Sequence, residues 1–300
     1  MYTTFIAVNE LQIHTVLEQA REFAEEGKLL HAVQLYRRLL HAVPLFEEPY
    51  LRIAQIYAEW GRYDQAEQLL LTGHRRNPGN PEFMLMLGEL FQRRGDYGAA
   101  VECYSSLGPM RLPEAHFNLG IAYMRQEQWK KAEEELRLTL LLDPHFPEVH
   151  EILGEILIKR KQYSTAASEL RRGIRDDHYS AVAHRLLGIA LLNQYEYLKA
   201  LDEFVLAVDM DPHDAAAWQL CGDTLLRLRR FGEAEPYLER ALALNPHSPD
   251  ASASFGFLCL YRGERAKALD AFNNALKEQP GHPRALDGRL HLKLQSEHPT

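Results

Sequence analysis

A 34-residue period constrains this chain more than any other feature of its sequence. The period is plainest from Ala181 to Asp214. There Leu187 and Gly188 fall in a first apolar segment, Ala200, Phe204 and Ala207 in a second, and Pro212 ends the second. One period later Cys221-Gly222, Ala234, Leu238, Ala241 and Pro246 repeat the pattern, and the next step gives Phe255-Gly256, Ala268, Phe272, Ala275 and Pro280. Self-similarity at this length is the mark of helix pairs that cannot bury their apolar faces alone and therefore stack. Traced backwards, units begin at Ile13, Glu47, Pro81, Pro113, Pro147, Ala181, Ala215 and Pro249. The predicted units are 13–46, 47–80, 81–112, 113–146, 147–180, 181–214, 215–248 and 249–282, with a head at 1–12 and a tail at 283–300.

The residue types at fixed places in the period have physical reasons. Gly88, Gly120, Gly154, Gly188, Gly222 and Gly256 stand in the middle of a helix, where glycine costs about 1 kcal/mol relative to alanine. Such a cost is acceptable where a neighbouring helix presses on that point, and Ala66, Ala100, Ala132, Ala166, Ala200, Ala234 and Ala268 are the expected opposing face. Gly27, Gly61, Gly95 and Gly263 sit where a left-handed residue ends the first helix. Pro44, Pro78, Pro144, Pro212, Pro246 and Pro280 stop the second.

Two joints depart from the pattern. The third unit is two residues short and closes on Gly108-Pro109, which predicts an early end to its second helix. The fifth closes on Asp176-Asp177-His178-Tyr179 without proline and carries Gly173 where alanine is usual. A bend is expected at both. Downstream, Leu286, Leu290 and Leu294 recur at helical spacing between Pro283 and Gln295, which predicts a capping helix over the last unit. In the head, Tyr2 to Val8 is apolar, and Asn9 with Gln12 suits a helix N-cap.

The combination of an aromatic residue, Leu-Gly, Tyr, then Ala-x3-Phe, then Pro resembles the tetratricopeptide repeat family. Trp218, Gly222, Ala234, Ala241 and Pro246 match it well, as do Leu119, Gly120, Tyr123, Ala132 and Pro144. The resemblance implies an all-α, right-handed α-solenoid superhelix of eight helical hairpins, with the capping helix at its C-terminal end. It also implies a protein-interaction scaffold that holds a partner segment in its concave groove.

Composition narrows the function further. A content of 46% hydrophobic and 25% charged residues suits a folded chain. The net charge of −8 argues against nucleic acid, which needs a basic face. A phosphate loop, a Gly-x-Ser-x-Gly elbow and a His-Glu-x-x-His zinc motif are all missing, so neither catalysis nor a cofactor is expected. Cys103, Cys221 and Cys259 fall at helix-interior positions, as buried thiols in a reducing compartment do. With no basic leader and no long apolar run, a cytoplasmic location and no membrane insertion are expected.

Histidine occurs in two periodic sets. His145, His213 and His247 each follow a proline and read as solvated rim residues, too far apart to share a metal ion. His116, His150 and His184 occupy a place where the family favours a large apolar residue. They read either as half-buried packing rings or as a row whose protonation loosens the stack.

In the family's geometry, the groove-facing places of the first helices hold Glu82, Glu89, Glu114, Asn118, Glu148, Glu151 and Glu155 in an acidic stretch. Arg185, Ile189 and Phe257 follow in a more apolar one. This predicts a protein or peptide partner with a basic or amphipathic segment, steered by the carboxylates. The lysines and arginine with which co-chaperone members hold a C-terminal carboxylate are missing, as is the asparagine ladder of the sugar-transferase members. Self-association, with the apolar head in the groove of a second copy, is the rival expectation. RNA binding is disfavoured because it needs a basic groove.

Overall fold

In a computed structural model, residues 2–146, 148–176 and 180–297 are described. Among them are seventeen α-helices, and the chain divides between Phe146 and Pro147 into two compact units. The first unit contains α1 (Tyr2–Glu25), α2 (Leu29–Ala42), α3 (Glu47–Glu59), α4 (Tyr63–Arg76), α5 (Glu82–Arg94), α6 (Tyr97–Ser105), α7 (Pro113–Arg125) and α8 (Trp129–Leu142). The second contains α9 (Val149–Lys159), α10 (Tyr163–Asp176), α11 (Ala181–Asn193), α12 (Tyr197–Met210), α13 (Ala215–Arg227), α14 (Phe231–Leu244), α15 (Pro249–Tyr261), α16 (Arg265–Glu278) and α17 (Pro283–Glu297). Odd and even helices pair as hairpins from α1–α2 to α15–α16, and α17 packs on α15 and α16.

Every turn inside a hairpin uses one device. The residue at Gly27, Gly61, Gly95, Glu127, Lys161, Tyr195, Arg229 or Gly263 is left-handed, with φ between 57° and 80°. The amide after it donates to a carbonyl five residues back, as Lys28 does to Phe23 (2.8 Å) and Glu196 to Leu191 (3.0 Å). This is the bond that closes a Schellman cap. Only half of the turns use the expected glycine. The other four hold a side chain in a region that costs L-residues roughly 1–2 kcal/mol.

The mid-helix glycines do receive a neighbour, chiefly a large side chain beside the expected alanines, of which the Ala132 carbonyl oxygen comes 3.4 Å from a Cβ on Gly120. A Cβ on Gly88 would lie 2.4 Å from the Tyr104 ring, on Gly188 2.5 Å from Phe204, on Gly222 2.5 Å from Leu238 and on Gly256 2.5 Å from Phe272. The opposing group is the large side chain one turn after each alanine, and the alanines are themselves fully buried beside it. At these places the side chains occupy the space a methyl group would need, whereas the first two units hold the small Ala20 and Ala54 there, both buried.

Two further expectations are corrected. Helix α1 begins at Tyr2 and runs through Asn9, so Asn9 is not its N-cap. The side chains of Tyr2, Phe5, Ile6 and Val8 lie outside what the structure describes. On α17, Leu286, Leu290 and Leu294 are 48%, 54% and 49% exposed, and the buried face is Ala285, Gly288 and Leu292. Gly288 lets the helix seat on the Phe272 ring, which a Cβ would meet at 2.2 Å.

At the short third unit, α6 has nine residues where the other second helices have fourteen, and a 3-10 turn at Gly108–Met110 follows it. The other irregular joint, Asp177-His178-Tyr179, lies outside the described residues, as does Pro147.

Candidate partner-binding groove

In the first unit the outward faces of α1, α3 and α5 enclose a groove of about 620 Å³, walled by Arg21, Glu48, Arg52, Gln55, Glu82 and Met86. Its charges are largely organised. Arg21 grips Glu48 with two parallel bonds (Nε to Oε1 2.8 Å, Nη2 to Oε2 2.7 Å) and also reaches Glu18 at 2.8 Å. A planar guanidinium fork fits a carboxylate in this way, and the pair ties α1 to α3. Glu82 stands exposed at the far wall, its amide held by the Asn80 Oδ1 at 2.9 Å while Asn80 donates to Glu47.

Farther along, α5 and α7 carry Glu89, Glu114 and Asn118, and the Gln92 Nε2 joins the two helices by donating to the Asn118 carbonyl at 3.2 Å. Glu89 is an exposed residue, yet protein atoms crowd it closely enough to strip hydration from its carboxylate. Burial therefore pushes its pKa up, Arg93 opposes this, and the Glu114 charge adds to it. The two carboxylates repel each other with only partial compensation.

The second unit places its predicted residues differently from one another. Glu148 is exposed, is left-handed at φ 63°, and stands at the N-terminus of α9. Glu155 is half-buried on the same helix. Glu151, by contrast, accepts a bond of 2.5 Å from the Ser180 hydroxyl, and Ser180 in turn caps α11 through the Ala183 amide. Arg185 lies 2.8 Å from Asp214, which caps α13 by accepting from Ala216 and Ala217.

Both Glu151 and Arg185 occupy the fifth place of their unit and reach 29 residues forward, to the start of the next first helix. Phe117 makes the equivalent contact in the first unit, its ring tilted against Phe146 at 4.9 Å between centroids. Phe257 is half-buried, with its edge on Phe272 at 5.2 Å and the Arg284 guanidinium 5.6 Å above its ring. Glu151, Arg185 and Phe257 are thus engaged inside the chain. Ile189 remains half-buried on α11.

Some partners were invisible to the period. Arg284 crosses from α17 to the buried Asp223 on α13 with two bonds, 3.0 and 3.1 Å, and also reaches Ser254. The imidazoles of His116, His150 and His184 each donate Nδ1 to a glutamate nineteen residues on: Glu135 at 2.7 Å, Glu169 at 3.0 Å and Glu203 at 2.7 Å. The row therefore clips the two helices of each hairpin together through a polar bond. His145, His213 and His247 are exposed, and their amides close turns on Asp143, Asp211 and Asn245. The cysteines are buried and reduced, with the thiols of Cys103 and Cys221 pushed up to about 11 and about 12 by burial. No helix among the described residues is long and apolar enough to cross a membrane.

Models of the tetratricopeptide repeat match residues 17–81, 51–109, 113–146 and 225–289. A curated relative, the transcription activator GutR of Bacillus subtilis (strain 168), is 31% identical over 103 residues. That stretch is 31% of this chain and 12% of the relative.

Among solved structures, the Cut9 and Hcn1 hetero-tetramer of the APC/C aligns with a TM-score of 0.64 at 15% identity, over 88% of this chain and 52% of that one. A tetratricopeptide repeat protein from Parabacteroides merdae ATCC 43184 aligns with a TM-score of 0.63 at 18% identity, over 83% of this chain and 98% of that one. This chain therefore spans a small part of the curated relative and about half of the first of these structures. The 34-residue signature, the hairpins from α1–α2 to α15–α16 and these matches establish that the chain belongs to the tetratricopeptide repeat family.

Proposed function

We propose that the protein is a non-catalytic scaffold that holds a segment of a protein partner along the first helices of its repeats. The tetratricopeptide repeat fold is in general a protein-interaction scaffold. One observation carries the finer reading, the open groove over α1, α3 and α5 with Glu82 at its wall and Glu89 and Glu114 beyond it on α5 and α7. A segment with basic side chains relieves the Glu89–Glu114 repulsion, and apolar side chains on the same segment cover Met86 and Leu51.

The second unit, taken by itself, offers the same acidic choice at Glu148 and Glu155, with Ile189 as an apolar contact. Glu151, Arg185 and Phe257 support the surface from beneath. Three buried thiols suit a reducing compartment, and we take the chain to work in the cytoplasm.

The test is capture of a cross-linked partner from the native cell by wild-type chain and by a Glu82→Lys, Glu89→Lys, Glu114→Lys variant of unchanged circular dichroism. Loss of the same partner from the variant supports the reading. Equal capture moves the site to another face.

A second reading, self-association, is favoured by the finding that the head is helical and continuous with α1. Light scattering on a chain lacking residues 1–9 decides it, since the reading requires a smaller particle.

A further inference from the structure

We infer that the face formed by α16 and α17 is a docking site for an acidic amphipathic helix of a partner protein. Helix α17 opens like a ninth first helix, because Pro283 and Ala285 stand one period after Pro249 and Ala251. Each of the eight preceding first helices is covered by the second helix of its own hairpin. On α17 the place of Gly256 is taken by Leu290, and among the described residues no second helix covers it. Leu290 is 54% exposed there, beside Leu286 at 48% and, from α16, Leu269 at 42%.

These side chains line a groove of about 780 Å³ between the two helices. Among the described residues its polar walls are Arg265, Arg289 and Lys293, three cations with no carboxylate, in a chain whose net charge is −8. The groove has the shape left for a helix, and its charge selects one that carries glutamate or aspartate beside its apolar face. A face with leucines at its centre and cations at its rim repels a second copy of itself, so a symmetric dimer through α17 is not the occupant.

The site is separate from the groove of the first helices, and its test does not depend on that proposal. The full-length chain is titrated against two labelled peptides of about sixteen residues, long enough to form helix. Both carry leucine and alanine on one face. One carries glutamate on the other face and its twin carries lysine. The acidic peptide is expected to saturate at micromolar concentration, and Leu286→Glu or Leu290→Glu to weaken it about tenfold or more.

Arg289→Glu should weaken the same peptide, most at low salt. Circular dichroism checks that each variant is folded, and these side chains are exposed, so folding should survive. Equal binding of the lysine peptide overturns the inference. So does a lack of saturation by millimolar concentration, or indifference to Leu290→Glu. A dimer that Leu290→Glu dissociates also overturns it and assigns the groove to a second copy.

Discussion

Replacing Gly256 by alanine isolates the contact that holds each hairpin together. In an open helix the exchange stabilises by about 1 kcal/mol, through propensity alone. Here the new Cβ would meet the Phe272 ring at 2.5, 2.7 and 3.0 Å, and Phe272 is fully buried. The ring is also pressed by α17, where a Cβ on Gly288 would lie 2.2 Å away. It has no room to withdraw. Overpacking of this kind costs about 1–3 kcal/mol, and a ring this tightly held puts the cost at the upper end, so against the propensity gain the net effect is a loss of up to about 2 kcal/mol.

Gly232 is the control: nothing lies within 4 Å of the place a methyl group would take, so it should gain or hold stability as alanine. Phe272→Leu in the Gly256→Ala background should recover part of the loss, giving a coupling of roughly 1 kcal/mol in a double-mutant cycle. Because repeat arrays unfold in pieces, urea denaturation by circular dichroism is best paired with amide exchange on α15. A Gly256→Ala chain as stable as wild type, with α15 equally protected, refutes the close-approach explanation of the repeat glycines.

Three other outcomes follow from single sites. His184→Phe removes the donor to Glu203 and leaves a half-buried carboxylate unpaired, so it should lower stability by about 1–3 kcal/mol in urea unfolding, with partial recovery in His184→Phe, Glu203→Leu. The raised Glu89 makes the folded state bind a proton more tightly than the unfolded one. Stability from this group therefore rises as pH falls through its folded value toward the ordinary 4.5, and Glu89→Gln should remove that part of the pH profile while matching or exceeding wild type at pH near 7. Cys103 and Cys221, buried and with raised thiols, should react with a thiol reagent only as the chain unfolds, which a stopped assay with and without urea measures.

The hairpins were readable in the chain because their determinants are local. A proline, a glycine or a small residue acts where it stands, and repetition at 34 residues removes the ambiguity of any one copy. What was hidden depends on distance across a turn. The His116–Glu135 type of pair joins residues nineteen apart, and the Glu151–Ser180 and Arg185–Asp214 contacts join residues 29 apart.

The capping helix shows why strong sequence signals mislead. Leu286, Leu290 and Leu294 form a clear stripe, but the face that fits the Phe272 ring is the one with Ala285 and Gly288, whose small size gives little hydrophobic signal. Glu127, Lys161, Tyr195 and Arg229 were hidden for a different reason. Their left-handed backbone is imposed by the hairpin and not chosen by the residue.

The claim that first-helix faces hold the partner is tested most directly by site-specific photo-cross-linking. A photoreactive side chain replaces Gln55 in the groove, Ile189 on α11, or Leu198, which is 61% exposed on the second helix α12. Cross-links to a protein partner from position 55 or from position 189, with none from 198, are the predicted result. Cross-linking from position 198 alone would contradict it.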